Sequence, residues 1–184
     1  EWECIWVPSY YCYEFIEALL PYTKVRFYDY TPFDNLNQVL NNITISNKEA
    51  IVISNFFGLN KQSHIDLKCS IIEDHSHDLI SDWARNSNAD WCFASLRKTL
   101  PIADGGILWS PKRHNLPPKP RQTTEGEKLA SDRYKAMALK SQYLKGDIVD
   151  KDFFREIYIR TENEFDKLSI SSISKQSFDI ISQL

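Results

Sequence analysis

Three short segments place chemically capable residues directly after apolar runs. The first is Ile71-Ile72-Glu73-Asp74-His75-Ser76-His77, where a β-branched run ends in two acids and two histidines. An acidic side chain at the mouth of a buried strand reaches a ligand while its backbone stays in the sheet. A carboxylate there can pair with a protonated ring nitrogen and hold that proton in place. Asp74 is equally suited to cap a following helix. The second is Ala94-Ser95-Leu96-Arg97-Lys98-Thr99, with a lysine three residues beyond a serine. A lysine held directly after a strand can be kept out of bulk solvent. Desolvation, or the positive charge of Arg97 beside it, favours the neutral, nucleophilic amine. Ser95 could bind a phosphate oxygen. The competing reading is a solvated Lys-Arg pair on a loop. The S-x-x-K of penicillin-binding enzymes has the same spacing, but no S-D-N or K-T-G element accompanies it here. The third is Asp104-Gly105-Gly106-Ile107, where paired glycines let a backbone approach closely or adopt positive φ; such a pair is just as often a turn.

Other polar residues carry weaker signals. His75 and His77, with Asp74 and Asp78, could suggest a metal site, because alternate positions on an extended segment share a face. Zinc needs a further ligand, and none is evident by spacing, so no metal is expected. His64 and His114 are isolated and read as surface residues. Of the cysteines Cys4, Cys12, Cys69 and Cys92, three sit in apolar, strand-like surroundings and read as buried thiols; no C-x-x-C pair is present. Lys112 to Lys145 holds nine basic and three acidic residues, a local net charge of +6. It reads either as a face for an anionic ligand or as a solvated basic face balanced by the acidic helix that follows.

The elements that must position these groups follow from periodicity. Cys4–Val7, Val25–Tyr30, Ala50–Ser54, Cys69–Ile72, Trp91–Ala94 and Gly106–Trp109 read as strands. Tyr10–Leu20 and Phe33–Ile43 carry apolar residues at helical spacing. Strands apolar on both faces, separated by helices, predict an α/β fold with a mostly parallel sheet covered by helices on both sides. Polar residues cluster after the strand ends, where open α/β sheets hold ligands. The chain then changes character. Residues 1–111 form the sheet region, 112–127 a Pro-rich basic loop, and 128–184 a helical appendage with breaks near Gly146 and Ser169–Ser174.

Composition sets the frame. The chain has 184 residues, 42% hydrophobic and 26% charged, with a net charge of -3. These values exclude wholesale disorder and argue against a whole-protein attraction to nucleic acid. No apolar run has the length of a membrane span. The first residues lack a signal peptide's basic start and apolar run, so the expected location is cytoplasmic. The aromatic residues, 13% of the chain, are scattered and read as core rather than as base-stacking platforms.

The order of the three segments adds to each of them. Glu73-Asp74 with His77, then Ser95 and Lys98, then Gly105-Gly106, resembles the core of fold-type I pyridoxal-phosphate enzymes, and within them the DegT/DnrJ/EryC1/StrS aminotransferases. Val7-Pro8-Ser9-Tyr10-Tyr11 resembles that family's strand-Pro-aromatic step, and Asn55–Gly58 its strand-end loop. The resemblance covers about residues 1–111. It departs from the pattern in the short gap between Ser95 and Lys98 and in His75-Ser76 after the Asp. It implies pyridoxal 5'-phosphate held as a Schiff base on Lys98, with Asp74 keeping the ring nitrogen protonated, His77 positioning the ring, and Ser95 on the phosphate. It further implies a small-molecule amino donor and acceptor, with a sugar nucleotide or other anionic compound among the candidates, and a homodimer. Released Lys98 would move the substrate proton. The alternatives are another reaction of the same cofactor, such as a dehydratase or desulfurase, or a non-catalytic binding module. Complete members also carry a Gly-Ser or Gly-Thr phosphate turn, a ring-stacking aromatic and a C-terminal small domain, none of which the sequence marks. With Glu1 as the first residue and Met137 as the only methionine, the expectation is an internal piece of a longer enzyme.

Overall fold

A computed structural model describes residues 2–61, 65–165 and 167–184; His64 lies outside them. The chain is α/β, with a six-stranded sheet. Its strands are β1 (Cys4–Pro8), β2 (Lys24–Tyr28), β3 (Ala50–Ser54), β4 (Ser70–Asp74), β5 (Trp91–Ser95) and β6 (Gly106–Trp109), in the order β2-β1-β3-β4-β5-β6. The pairs β1–β2, β1–β3, β3–β4 and β4–β5 are all parallel. Parallel strands need crossovers, and the helices α1 (Tyr13–Leu19), α2 (Leu36–Asn41) and α3 (Asp82–Arg85) lie in them. Among the described residues, no helix is long and apolar enough to cross a membrane.

The chain divides into two compact units. The first comprises residues 1–99 and 107–116, the second 100–106 and 117–184. In the first, the two faces of the sheet are buried by different helices, as the two-residue alternation of strand side chains requires. Ile51 and Ile53 of β3 pack with Leu36 and Leu40 of α2 and with Trp83 of α3. Ala50 and Val52 face the other way and pack with Ile16, Phe15 and Leu19 of α1. Every residue of β3 is buried, which explains its apolar run from Ala50 to Ile53. Cys4, Cys69 and Cys92 are buried free thiols and Cys12 is exposed.

Side-chain caps set the starts of α2 and α3. Asn35 accepts from Gln38 N–H at 3.2 Å, opening α2, and Ser81 accepts from Ala84 N–H at 3.3 Å, opening α3. Asp74 therefore caps no helix here. α1 begins three residues later than the apolar spacing predicts. The chain first turns through residues 9–12, and the aromatic rings of Tyr10 and Tyr11 are spent on a cavity wall instead of a helix face.

The second unit is helical. α4 (Thr124–Leu144) and α5 (Lys151–Phe165) enclose Ala136, Phe154 and Ile157. Gly146, at φ 92, closes the turn between them where the sequence marks a break. Part of the basic stretch is answered by acid: Arg133 pairs with Glu162, and in the first unit Lys112 pairs with Asp90 at 3.1 Å. α6 (Lys175–Ile181) starts at Ser174. Here Asp104, from the segment with the glycine pair, accepts from Ser174 N–H and Ser174 Oγ–H, both at 2.7 Å, and from Ser177 Oγ–H. Asp104 is thus a buried anchor for a helix start.

Candidate functional site

Strand order decides where a ligand would sit. From β1 the chain steps to one side to form β2, then to the other side to form β3 and the rest of the sheet. Such a reversal leaves a crevice beyond the carboxyl ends of the strands. A cavity of about 480 Å³ lies there, within the roughly 300–1,000 Å³ common for small-molecule sites. Four strand ends line it. Tyr10, Tyr11 and Cys12 follow β1, with Phe15 of α1 beside them. Ser54 and Phe56 come from the end of β3. Asp74, Ser76 and His77 come from the end of β4. Phe93 belongs to β5, and Lys98 to the helical turn Leu96–Lys98 after it.

Asp74 and Lys98, single candidates at two strand ends in the sequence, therefore line one cavity. Asp74 Oδ1 accepts the Ser76 N–H at 2.8 Å, which folds the chain into a tight turn just past β4. Its Oδ2 accepts the Tyr11 hydroxyl at 2.6 Å. Burial, and then the Asp74 carboxylate, push the Tyr11 phenol well above its ordinary range, so that hydroxyl keeps its proton. Lys98 Nζ lies 3.1 Å from His77 Nε2. Burial, and then the Lys98 charge, lower the pKa of His77. A neutral imidazole can accept a hydrogen bond from the amine at Nε2; its Nδ1 is buried with no hydrogen-bond partner among the described residues.

His77 is held by a strained loop. Its ring stacks on Phe57 at 4.3 Å between centroids, 7° from parallel. Phe57 has φ 54 and Gly58 φ 67. The left-handed region costs a non-glycine residue about 1–2 kcal/mol, and such strain gathers at functional sites. A Cβ on Gly58 would stand 2.6 Å from Asp78 Oδ2, so a larger residue there would have to displace that side chain and hold a positive φ. Buried Asn55 fixes the loop's start. Its amide donates to Ser81 Oγ at 3.2 Å and to Asp78 O at 3.3 Å.

Other candidates are placed differently. Ser95 is not among the residues lining the cavity; its N–H donates to Ser76 Oγ at 2.9 Å. Ser76 is the serine after β4 that does line it. His75 and His77 do not share a face. β4 ends at Asp74 and the chain turns at Ser76, so the alternation of an extended strand no longer applies. His75 is fully buried on the α3 side, packed on Trp83 and Trp109 with ring centroids 5.6 Å away in each case. Its Nε2 lies 2.9 Å from Glu73 Oε2, and Cys92 Sγ–H donates to the same oxygen at 3.7 Å. Burial drives the Cys92 thiol up to about 12. Among the described residues these three present metal-capable atoms within 4.8 Å of one another, and Glu73 Oε1 is buried there with no hydrogen-bond partner among them. His114 is exposed and pairs with Asp90 at 2.9 Å.

The sequence pointed to the segments holding Tyr11 and Phe57 without assigning either residue a task. Nor did it mark Phe15 and Phe93 as cavity walls. Their signal is three-dimensional, since each is an ordinary apolar residue of an α/β core by type. No family model matches the chain, no curated protein matches it, and no solved structure matches it.

Proposed function

We propose that the cavity binds pyridoxal 5'-phosphate and that the protein is an aminotransferase acting through Lys98. The observation that carries this reading is the shared cavity. A carboxylate from β4 and a lysine from the turn after β5 face one aromatic-walled space at the carboxyl ends of parallel strands. The residues fit the group. A carboxylate accepts about four hydrogen bonds, and Asp74 has spent two, leaving positions for a protonated ring nitrogen. Tyr10, Tyr11, Phe15, Phe56 and Phe93 offer apolar faces to a flat ring. Ser54 and Ser76 offer hydroxyls for an anionic group.

When bound, the cofactor supplies an electron sink for the carbanion left as a substrate Cα loses its proton. The protein's own groups do the rest. Asp74 holds the positive ring nitrogen. Lys98 would hold the cofactor, and its amine would carry the proton to and from a substrate Cα. His77, beside the amine, accepts a hydrogen bond from Lys98 and orients it. The neutral imidazole favoured by burial and by the Lys98 charge suits that accepting role. An amino donor and an acceptor, a sugar nucleotide or other anionic compound among the candidates, would take turns in the same space. A dehydratase or desulfurase would use the same lysine and aspartate.

The test is addition of pyridoxal phosphate to the protein with absorbance recorded across the visible range. A new band that vanishes in Lys98→Ala supports the reading, and no lysine-dependent band sinks it. Conversion of glutamate to its keto acid with a bound acceptor would then separate transamination from the other reactions.

A further inference from the structure

Within that cavity one side chain has a task that the proposed chemistry does not assign. We propose that Tyr11 is the positioning residue for Asp74: its hydroxyl and the Ser76 N–H each take one carboxylate oxygen, fixing the carboxylate so that its remaining lone pairs meet a protonated ring nitrogen. The inference rests on the pyridoxal-phosphate reading for the identity of that ring. The two contacts, 2.6 Å to Oδ2 and 2.8 Å to Oδ1, come from opposite sides of the sequence. The Ser76 turn is local and sets Asp74 relative to its own strand. Tyr11 lies 63 residues away in sequence and sets it relative to β1.

Tyr11 is itself held by a relay of rings. Its ring meets Phe15 edge to face at 5.1 Å, and Phe15 stacks on Phe93 at 5.7 Å. Phe93 is the β5 residue paired directly with Asp74 in the sheet. The relay therefore runs from Tyr11, on the Asp74 carboxylate, back to the residue beside Asp74 in the sheet, and so ties the Tyr11 ring to the strands that carry that carboxylate. An aspartate at a strand end, with two free dihedrals, would otherwise sample several rotamers. A hydrogen bond to a charged group is worth more than a neutral one, and orientation is where catalytic groups lose most when loosened. The Tyr11 phenol stays protonated because burial and Asp74 both oppose its ionisation. Cys12 and Tyr28 act on it in the same direction, and His77 and Lys98 face Asp74 across the cavity.

The test uses three variants and two readouts besides turnover. Tyr11→Phe removes only the hydroxyl. Phe15→Leu keeps the hydroxyl and removes the ring that steadies it. Tyr13→Phe, at an exposed position of α1, is the control. With ring-nitrogen-labelled pyridoxal phosphate, the ¹⁵N shift reports protonation of the ring. Tyr11→Phe is expected to weaken cofactor binding about 10-fold and move that shift towards the neutral ring, with Phe15→Leu between it and wild type and Tyr13→Phe unchanged. Binding within about 2-fold of wild type, with the same ¹⁵N shift, overturns the role of Tyr11. The second readout needs no cofactor. In the free protein, Asp74→Asn should lower the titration midpoint of the Tyr11 phenol, followed by NMR of labelled tyrosine; an unchanged midpoint overturns the Tyr11–Asp74 contact itself. If wild type shows no lysine-dependent band while that midpoint moves, the cofactor reading fails and the ring-nitrogen role with it, and Tyr11 still positions Asp74.

Discussion

Phe57 holds an unfavourable backbone conformation beside the candidate site, and its substitution separates strain from function. Phe57→Gly removes the left-handed penalty of about 1–2 kcal/mol. Against this, the ring is 55% exposed, so its lost burial costs about 1 kcal/mol. The lost stack on His77 costs about 0.5–1.5 kcal/mol, and glycine's freedom in the unfolded chain adds about 0.4–1 kcal/mol. These contributions largely offset, leaving a net loss of about 1 kcal/mol. Phe57→Ala loses the same ring but keeps most of the strain, so it should be less stable than the glycine variant by about 1 kcal/mol. Urea unfolding followed by tryptophan fluorescence measures that order. Both variants also uncover His77. Its pKa is lowered mainly by burial, so each variant should move its titration up towards the ordinary value, as read by histidine NMR. The linkage has a definite sign. A group depressed in the folded state contributes stability above its unfolded pKa and loses it as pH falls through the folded one. Wild type should thus lose more stability than either variant as pH falls below about 6.5. The reasoning is refuted if alanine proves more stable than glycine at this position, or if His77 titrates identically in all three proteins.

Other perturbations test the buried surroundings. His75→Ala leaves the fully buried Glu73 Oε2 without its nearest hydrogen-bond partner and should cost about 1–3 kcal/mol by urea unfolding; the double change Glu73→Leu with His75→Phe should recover much of that loss. Asp104→Ala leaves the buried Ser174 N–H without its acceptor and should cost about 1–3 kcal/mol, seen as faster amide exchange at the start of α6. In native protein a thiol reagent should label Cys12 and leave Cys4, Cys69 and Cys92 intact until denaturant is added; rapid labelling of Cys92 would contradict its burial.

Much of the sheet was legible because its strands are short β-branched or aromatic runs bounded by turn residues. β3 is apolar from Ala50 to Ile53 because it is buried on both faces, and helices cover both sides. The boundaries of α1 were less legible. Apolar residues at helical spacing from Tyr10 onwards look the same whether they serve a helix face or a cavity wall. Asp74 and Lys98 could be named one by one from strand-end position, but only strand order brings them together, and no local pattern states that order. His75 and His77 failed as a pair for a physical reason: the Asp74–Ser76 turn ends the alternation on which the inference depended. Ser95 was singled out by spacing, yet Ser76, one strand over, lines the cavity. The strain at Phe57 has no sequence signature, since its φ depends on packing against His77 and on Gly58 beside Asp78.

The central claim is that Lys98 is the residue that holds the cofactor. Incubation of the protein with pyridoxal phosphate, reduction with borohydride and peptide mapping by mass spectrometry test it most directly. The account predicts a phosphopyridoxyl group on the peptide carrying Lys98, at one site per chain, lost in Lys98→Arg and reduced in Asp74→Asn. Label spread over surface lysines, with Lys98 unmodified, would contradict it.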